Sequence, residues 1–497
     1  MNPNDLYKRL LDLLFCVTVL AAVMLRWPDQ TQPVLWLNEA WRAMGAVANH
    51  DTQILLASEL VLGRVGVALF GYQSIAVRIW PLIFSVLALL GTYAFVSRTS
   101  SRGAAVSAVL LIALGPGFVH HARGFEPYPL DLALTVWSLW FAVRYTELRT
   151  RNSLSALIVI LLLYAASSLT FAFVYPAILA FVCLSGAREQ PRALWLLLAP
   201  GLLFTAIYIV YLRPQLSSGE ALRYWGQFYI DSPEALARVA ANARFDIGRF
   251  VPIGWQVVCA AYFVALPTLA VVARSRSSML LFVPFIVQAG FSAAGLYPLF
   301  ARPSYYLYGL MAIALPHVVA TCLRWRAHPD SLRPKLIDAA LVAGIAMTLA
   351  VSSPLRAQLG NARSWPVEQG GDAFRILAEQ HKPGEAVYVS YSAYYTHRFH
   401  ALREGSAAAK VPVTTAAWEE ALRDNSMSKL CASIKRGTRP HHKGDRIWFV
   451  STNVPHAHIF YRELFRTIAH IEVPLAEMHQ SLIAVTLRKN LKRMGCP

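Results

Sequence analysis

Glu39, Asp51, Glu59, Glu126 and Asp131 stand at or near the ends of long apolar runs, and so do Arg64, Arg78, Arg123 and Arg302. Ionisable side chains at such borders are informative because burying them beside lipid is expensive. An arginine fork holds a phosphate through paired hydrogen bonds, and a carboxylate beside a hydroxyl can take its proton. Acids and arginines gathered next to lipid therefore suit a phosphate carried on a lipid. Taken singly, Arg78 and Arg302 also fit side chains that snorkel from helix ends. Glu39 likewise fits a helix-surface partner for Arg42 three residues on. Asn38-Glu39 lies just past the first apolar run, and His120-His121-Ala122-Arg123-Gly124-Phe125-Glu126-Pro127-Tyr128 fills the turn between the third and fourth. Tyr128, Tyr305, His120 and His121 are the polar side chains expected to line a site there. His441-His442 and His456-x-His458 have a metal-binding residue type, but they read as solvated histidines and no metal site is assigned to them.

The elements that must position these groups follow from composition. The chain has 497 residues, 56% hydrophobic and only 15% charged, against about 25% charged in soluble domains. The net charge of +18, from 46 Lys+Arg and 28 Asp+Glu, would suggest nucleic acid on a soluble surface. Here the basic residues punctuate apolar runs instead, which is the arrangement of a polytopic membrane protein. A disordered chain, a disulfide scaffold and a soluble nucleic-acid binder are excluded as classes.

A span needs about 20 apolar residues in helical form. Eleven segments qualify: 10–26, 76–96, 103–119, 128–144, 153–168, 170–186, 193–212, 256–273, 278–297, 304–323 and 336–353. Lys8 and Arg9 before the first put the N-terminus in the cytoplasm. Every second connection then carries arginine or lysine: Arg98 and Arg102; Arg144, Arg149 and Arg151; Arg188 and Arg192; Arg274 and Arg276; Arg324, Arg326, Arg333 and Lys335. The stretch 153–186 is divided at Ser167-Ser168, because both of its flanks are basic. Residues 53–70 hold Glu59 and Arg64 and are expected as an interfacial helix; a span there would invert every later loop. No small-x-small cleavage site follows the first run, so it is expected to stay in place. Four of the six cysteines, Cys16, Cys183, Cys259 and Cys322, lie in or near spans, and only Cys431 and Cys496 could pair outside.

Residues 1–353 are thus expected as a transmembrane catalytic domain with outer loops 27–75 and 213–255, and 354–497 as a soluble extracytoplasmic domain. In the first loop Leu37, Trp41, Met44 and Ala48 share a helical face suited to the headgroup region. In the second, Tyr224, Trp225, Phe228 and Tyr229 sit among Arg223, Arg238, Arg244 and Arg249. In the tail, strand-like runs at Ala386–Tyr391, Arg446–Ser451, Ala469–Val473 and Leu482–Leu487 alternate with helical stretches at 366–381, 415–434 and 456–466, which predicts an α/β sandwich. No GxGxxG fingerprint marks a nucleotide site. The tail holds 20 Lys+Arg against 12 Asp+Glu, which favours an anionic acceptor.

Three stretches resemble the GT-C superfamily of membrane glycosyltransferases, in its dolichyl-phosphate-mannose-type and aminoarabinose-transferase-like branch. Leu35-Trp36-Leu37-Asn38-Glu39-Ala40 lies where that family has an acidic Asp-Glu pair. Ala76-Val77-Arg78-Ile79-Trp80-Pro81 resembles its Arg-Leu-Pro-Ser entry to the second span. His121-Ala122-Arg123 through Tyr128-Pro129-Leu130 resembles its Ala-Arg-x-Tyr turn.

The resemblance implies a polytopic α-helical enzyme of the bacterial inner membrane with a periplasmic α/β domain. It implies transfer of a sugar from a polyprenyl-phosphate donor, such as undecaprenyl phosphate, to a glycan, lipid or protein acceptor. The reaction is a single inverting displacement at the anomeric carbon with a carboxylate as base. Where the family has its catalytic Asp, this chain has Asn38, so the base passes to Glu39, Asp51 or Glu126. Arg64, Arg78, Arg123 and Arg302 would hold the donor phosphate. No cofactor is obligatory on this reading, although a divalent metal serves other branches. The competing classes are a polyprenyl-lipid flippase and a catalytically inactive partner of the same fold. A transporter should show two similar halves, and no such repeat is evident.

Overall fold

The computed structural model describes residues 3–27, 42–44, 57–185, 191–213, 228–230, 232–300, 302–324, 333–352, 371–402, 411–415, 444–452, 469–476 and 480–487. It divides into two compact units. The first comprises Met1–Trp27, Leu56–Ser58 and Trp80–Ala362; the second comprises Pro28–Leu55, Glu59–Ile79 and Arg363–Pro497. Most of the expected first outer loop therefore groups with the tail.

Among the described residues the main helices ahead of the tail are, in chain order, α1 (Pro3–Arg26), α2 (Ala57–Phe70), α3 (Ser74–Thr99), α4 (Arg102–Leu114), α5 (Pro116–His121), α6 (Tyr128–Leu148), α7 (Arg151–Ser167), α8 (Phe171–Leu184), α9 (Pro191–Ile207), α10 (Pro233–Phe250), α11 (Trp255–Val272), α12 (Arg276–Ala293), α13 (Tyr305–Arg324) and α14 (Arg333–Val351). The unit boundaries pass through α2 and α3. Helix is present in each of the eleven segments expected from hydropathy. Among the described residues, six stretches are long and apolar enough to cross a bilayer: Ser74–Thr99, Arg192–Leu212, Trp255–Val272, Arg276–Ala293, Arg302–Leu323 and Pro334–Val351. The protein is an integral membrane protein. The helix α2 has 14 residues, about 21 Å at 1.5 Å per residue, short of the ~30 Å hydrocarbon core. The stretch 153–186 is interrupted where the hydroxyl pair interrupts it: α7 stops at Ser167, and Ser168 is extended at φ −152°.

In the first unit α4 is the most enclosed element, buried from Gly103 to Ala113 and packed against α1, α13 and α14. Its alanines and glycine let neighbouring backbones come close, the usual basis of helix contact in lipid. Gly103 is obligatory in this packing, since a Cβ there would lie 2.4 Å from Asp338 Cβ. Charged side chains from distant helices close both of its ends. At the N-terminus Asp338 of α14 accepts from the Ser101 hydroxyl at 2.8 Å and from the Gly103 amide at 3.3 Å, while Ser101 Oγ accepts from Ala104 N. At the C-terminus Arg26 of α1 donates to the carbonyls of Ile112 at 2.7 Å and Ala113 at 2.5 Å. Each charge opposes the partial charge of the helix end it meets. A further tie joins three helices, with Asp12 accepting from Tyr93 at 2.5 Å and from Arg102 at 3.0 Å.

In the second unit the tail adds α15 (Gly371–Gln380), β1 (Ala386–Val389), α16 (Tyr391–Ala401), β2 (Thr414–Thr415), β3 (Arg446–Thr452), β4 (Ala469–Ala476) and β5 (Gln480–Leu487). The strands form one sheet in the order β2-β1-β3-β5-β4. β1 runs parallel to β2 and β3, whereas β5 runs antiparallel to β3 and β4. All of Ile447, Trp448, Phe449 and Val450 are fully buried, as expected of a central strand covered on both faces. Phe374 and Leu377 of α15 and Ala393 of α16 pack on Val387, Val389, Trp448, Val450, Leu482 and Ala484. The expected helices 415–434 and 456–466 fall almost wholly outside the described residues. Also within this unit, Tyr72 meets Phe399 edge-on at 6.1 Å.

Candidate active site

The strongest concentration of chemistry in the first unit is the turn between α5 and α6. Pro116 starts α5 at its first turn and Pro129 starts α6 in the same way, where a missing amide hydrogen does no harm. The six residues of α5 end at His121, and the intervening turn is tightened by Arg123 N donating to His120 O and Glu126 N to Gly124 O. This folding brings together two side chains that are five residues apart. His121 Nδ1 lies 2.5 Å from Glu126 Oε2, with both side chains 3% exposed. Arg302, just ahead of α13, approaches the other carboxylate oxygen with Nη1 3.8 Å from Oε1, and its own side chain is 44% exposed.

Aromatic rings fix the imidazole. Phe250, the last residue of α10, lies parallel to His121 at 5.8 Å and 7°, while Tyr128, Tyr305 and His120 meet it edge-on at 5.3, 5.8 and 5.0 Å. Phe250 also stacks on Tyr308 at 4.3 Å, and Tyr308 donates to Asp246 at 3.0 Å. Gly117 makes the approach possible, because a Cβ on it would come within 2.6 Å of the Phe250 ring.

Electrostatics set the charge state of the pair. Burial alone would raise the Glu126 carboxyl, but the adjacent His121 charge and hydrogen bond, followed by Arg302 and His120, outweigh it and hold Glu126 at about 2. Burial drives the His120 imidazole well below its ordinary value, and His121, Arg249 and Arg302 push the same way. Burial also lowers Arg249, opposed by Asp246. Glu126 is thus ionised at neutral pH, with the Arg302 guanidinium beside it.

Behind this turn Asp131, in the first turn of α6, anchors a closed ring of hydroxyls. Asp131 Oδ1 accepts from Ser168 at 2.5 Å; Ser168 meets Thr170 at 2.7 Å, Thr170 meets Tyr164 at 2.8 Å, Tyr164 meets Thr135 at 2.7 Å, and Thr135 donates to Asp131 O at 2.7 Å. The ring ties α6 to the break between α7 and α8.

Of the site residues expected from sequence, the structure gathers Glu126, His120, His121, Tyr128, Tyr305 and Arg302 in this unit. Arg123 is half-buried in the same turn. Arg64, exposed, and Arg78, buried, lie in the second unit. Asn38, Glu39 and Asp51 lie outside the described residues. Arg42 forms an ion pair with buried Glu59. Arg26, Asp246 and Phe250 were not singled out by the sequence, and Arg249 was read only as one arginine among interfacial aromatics. The signal for the last three was the apolar spacing Ala235, Val239, Ala243, Ile247, which fixes which face of α10 turns inward. Among the described residues no three His, Cys, Asp or Glu side chains gather as a metal site; His121 and Glu126 spend their facing atoms on each other.

The sequence model of the dolichyl-phosphate-mannose-protein mannosyltransferase family matches residues 61–212, a range that includes the α5–α6 turn and the hydroxyl ring. Among solved structures, ArnT from Cupriavidus metallidurans in the apo state superposes with a TM-score of 0.55 at 13% identity, covering 96% of this chain and 98% of that one. The chain has the GT-C fold. The GT-C likeness extends to the Archaeoglobus fulgidus oligosaccharyltransferase in complex with Zn and sulfate, with a TM-score of 0.53, 14% identity, and 94% of this chain and 72% of that one covered. AglB from the same organism, in complex with an inhibitory peptide and a dolichol-phosphate, gives 0.53 at 13% identity over 93% of this chain and 70% of that one. No curated protein sequence matches the chain. At these identities the GT-C relationship is one of fold, and His121, Glu126 and Arg302 are argued from their own geometry.

Proposed function

We propose that the protein is a membrane glycosyltransferase that moves a sugar from a polyprenyl-phosphate donor to an acceptor hydroxyl. The observation that carries this reading is the ionised Glu126, held between buried His121 and half-exposed Arg302 in a chain of GT-C fold. Such an anion stabilises a proton-accepting or positively charged partner, and the neighbouring arginines supply charge for a departing phosphate.

The acceptor oxygen attacks the anomeric carbon from the face opposite the lipid phosphate, so configuration inverts. The phosphate leaves with its bonding electron pair and needs no protonation, which leaves one proton to be removed from the acceptor. The resemblance assigns that task to one carboxylate among Glu39, Asp51 and Glu126, and the phosphate to Arg64, Arg78, Arg123 and Arg302. Tyr128, Tyr305, His120, His121 and Asn38 line the site. The reading includes eleven spans over residues 1–353, a cytoplasmic N-terminus and a periplasmic α/β domain from 354. The acceptor is a glycan, lipid or protein, with the basic tail favouring an anionic one. The reaction as written requires no metal.

The test is a transfer assay in nanodiscs with a panel of polyprenyl-phosphate sugars and membrane extract as acceptor. Transfer that Glu126→Gln reduces at least tenfold, with donor binding retained, is the expected result. Tight donor binding without transfer by any member of the panel would overturn it in favour of a flippase or an inactive partner.

A further inference from the structure

Glu126 is well placed to receive charge and badly placed to remove a proton. A carboxylate held this far below its ordinary value has little affinity for one, and general-base efficiency rises as the base's proton affinity approaches the working pH. Oε2 is committed to His121 Nδ1, and Arg302 lies 3.8 Å from Oε1. An ionised carboxylate can only accept hydrogen bonds, so the proton in the short His121–Glu126 contact belongs to Nδ1. Once the ring has released its other proton, its acceptor nitrogen is Nε2, and Nε2 makes no hydrogen bond among the described residues. The ring is held on its flanks by Phe250, Tyr128, Tyr305 and His120. A side chain 3% exposed, with one nitrogen tied to an anion and the other unused, has the arrangement of a base with its orienting acid.

We propose that His121 is the proton acceptor of the transfer reaction and that Glu126 is its positioning residue, an assignment that rests on the transferase reading above. The acceptor hydroxyl gives its proton to His121 Nε2 as its oxygen bonds to the anomeric carbon. The bond from that carbon to the lipid phosphate oxygen breaks, and its electron pair stays on the phosphate. The imidazolium so formed donates through Nδ1 to Glu126, which stabilises it without taking the proton, and Nε2 later releases its proton to water. His120 and Arg123 of the same turn are half-buried, and Arg302 is half-exposed.

The imidazole meets His120 on α5, Glu126 in the turn, Tyr128 on α6 and Tyr305 on α13, while Arg302 ahead of α13 and Arg249 on α10 act on Glu126. Glu126 is the anion in direct contact. Removing its charge weakens the ring's hold on a proton.

The experiment compares wild type, His121→Asn and Glu126→Gln in nanodiscs, reading kcat, donor KM and the pH profile of kcat. The Asn amide can still donate to Glu126 from the Nδ1 position but offers no base. His121→Asn is expected to lower kcat about 10²–10⁴-fold with donor KM little changed, and to abolish the acid limb of the profile. Glu126→Gln is expected to move that limb to lower pH. A kcat for His121→Asn within tenfold of wild type, or an acid limb that survives in it, overturns the assignment. Should His121→Asn fail to fold, an acid limb left in place by Glu126→Gln overturns it equally. A wild type that transfers nothing overturns the transferase reading itself, and this assignment with it.

Discussion

Asp338 and Arg26 sit at opposite ends of α4, the carboxylate on the amide end and the guanidinium on the carbonyl end. Neither is near α4 in sequence: one comes from α14 and the other from α1. The helix they close runs directly into α5 and the His121–Glu126 turn, so the caps fix where that turn begins.

Removing Asp338 should therefore destabilise the bundle. Asp338→Ala leaves the Ser101 hydroxyl and the Gly103 amide buried without their acceptor, a loss of about 1–3 kcal/mol. Gly103→Ala should act by collision instead, at about 1–3 kcal/mol for an overpacked contact. Thermal unfolding in detergent measures both. A Gly103→Ala protein as stable as wild type would contradict the 2.4 Å approach.

Acid should unfold the α5–α6 turn through Glu126. Its folded value is depressed from the ordinary 4.5 to about 2. The ion pair's stability is therefore fully present above about pH 4.5 and is lost as pH falls toward 2. Unfolding temperature measured across that window should fall more steeply for wild type than for Glu126→Gln, which has no carboxyl to titrate. Equal slopes would show that Glu126 is not the group responsible.

Phe250 should be needed where it lies. Gly117→Val puts atoms into the space its ring occupies, and displacing it uncovers one face of His121. Transfer activity should fall at least tenfold, and Phe250→Leu, which keeps apolar volume, should retain more activity than Gly117→Val. The reverse order would mean that the aromatic ring itself, and not apolar volume held in this place, is what His121 needs.

Arg302 should govern donor affinity more than turnover, because it is half-exposed and touches Glu126 only at 3.8 Å. Arg302→Ala is expected to raise donor KM about 10–100-fold, the range for a lost charged hydrogen bond of ~1.5–3 kcal/mol. Lysine should restore part of this loss, lacking the planar fork. A change confined to kcat would reassign Arg302 to the chemistry of Glu126.

Hydropathy located the helices because each apolar run carries its own length, and it located the break at Ser168 because both flanks of that run are basic. The strands at Ala386, Arg446, Ala469 and Leu482 were legible for a similar local reason. α16 was not: Tyr-Ser-Ala-Tyr-Tyr-Thr-His-Arg-Phe-His-Ala has the aromatic and β-branched content of a strand, and it is helical because Ser390 accepts from Ala393 N at 3.3 Å and starts the turn. Within the site, Glu126 and His121 were visible as a short motif. Arg26 read as the polar end of a span, and Arg249 as one arginine among several. Their partners are supplied by segments far away in the chain, and no local period records such pairings. Asp338 was invisible for the same reason.

The tail sheet also limits how two copies of this protein could join. Among the described residues, β2 at one margin spans Thr414–Thr415, and β4 at the other carries Pro474 beside an irregularity between Glu472 and Leu475. A short margin and a kinked one offer little backbone for another strand to pair with. Crowded side by side in a membrane, neighbouring molecules are thus poorly equipped to extend one another's sheets into a continuous ribbon through these strands, and association between tails falls to side-chain surfaces.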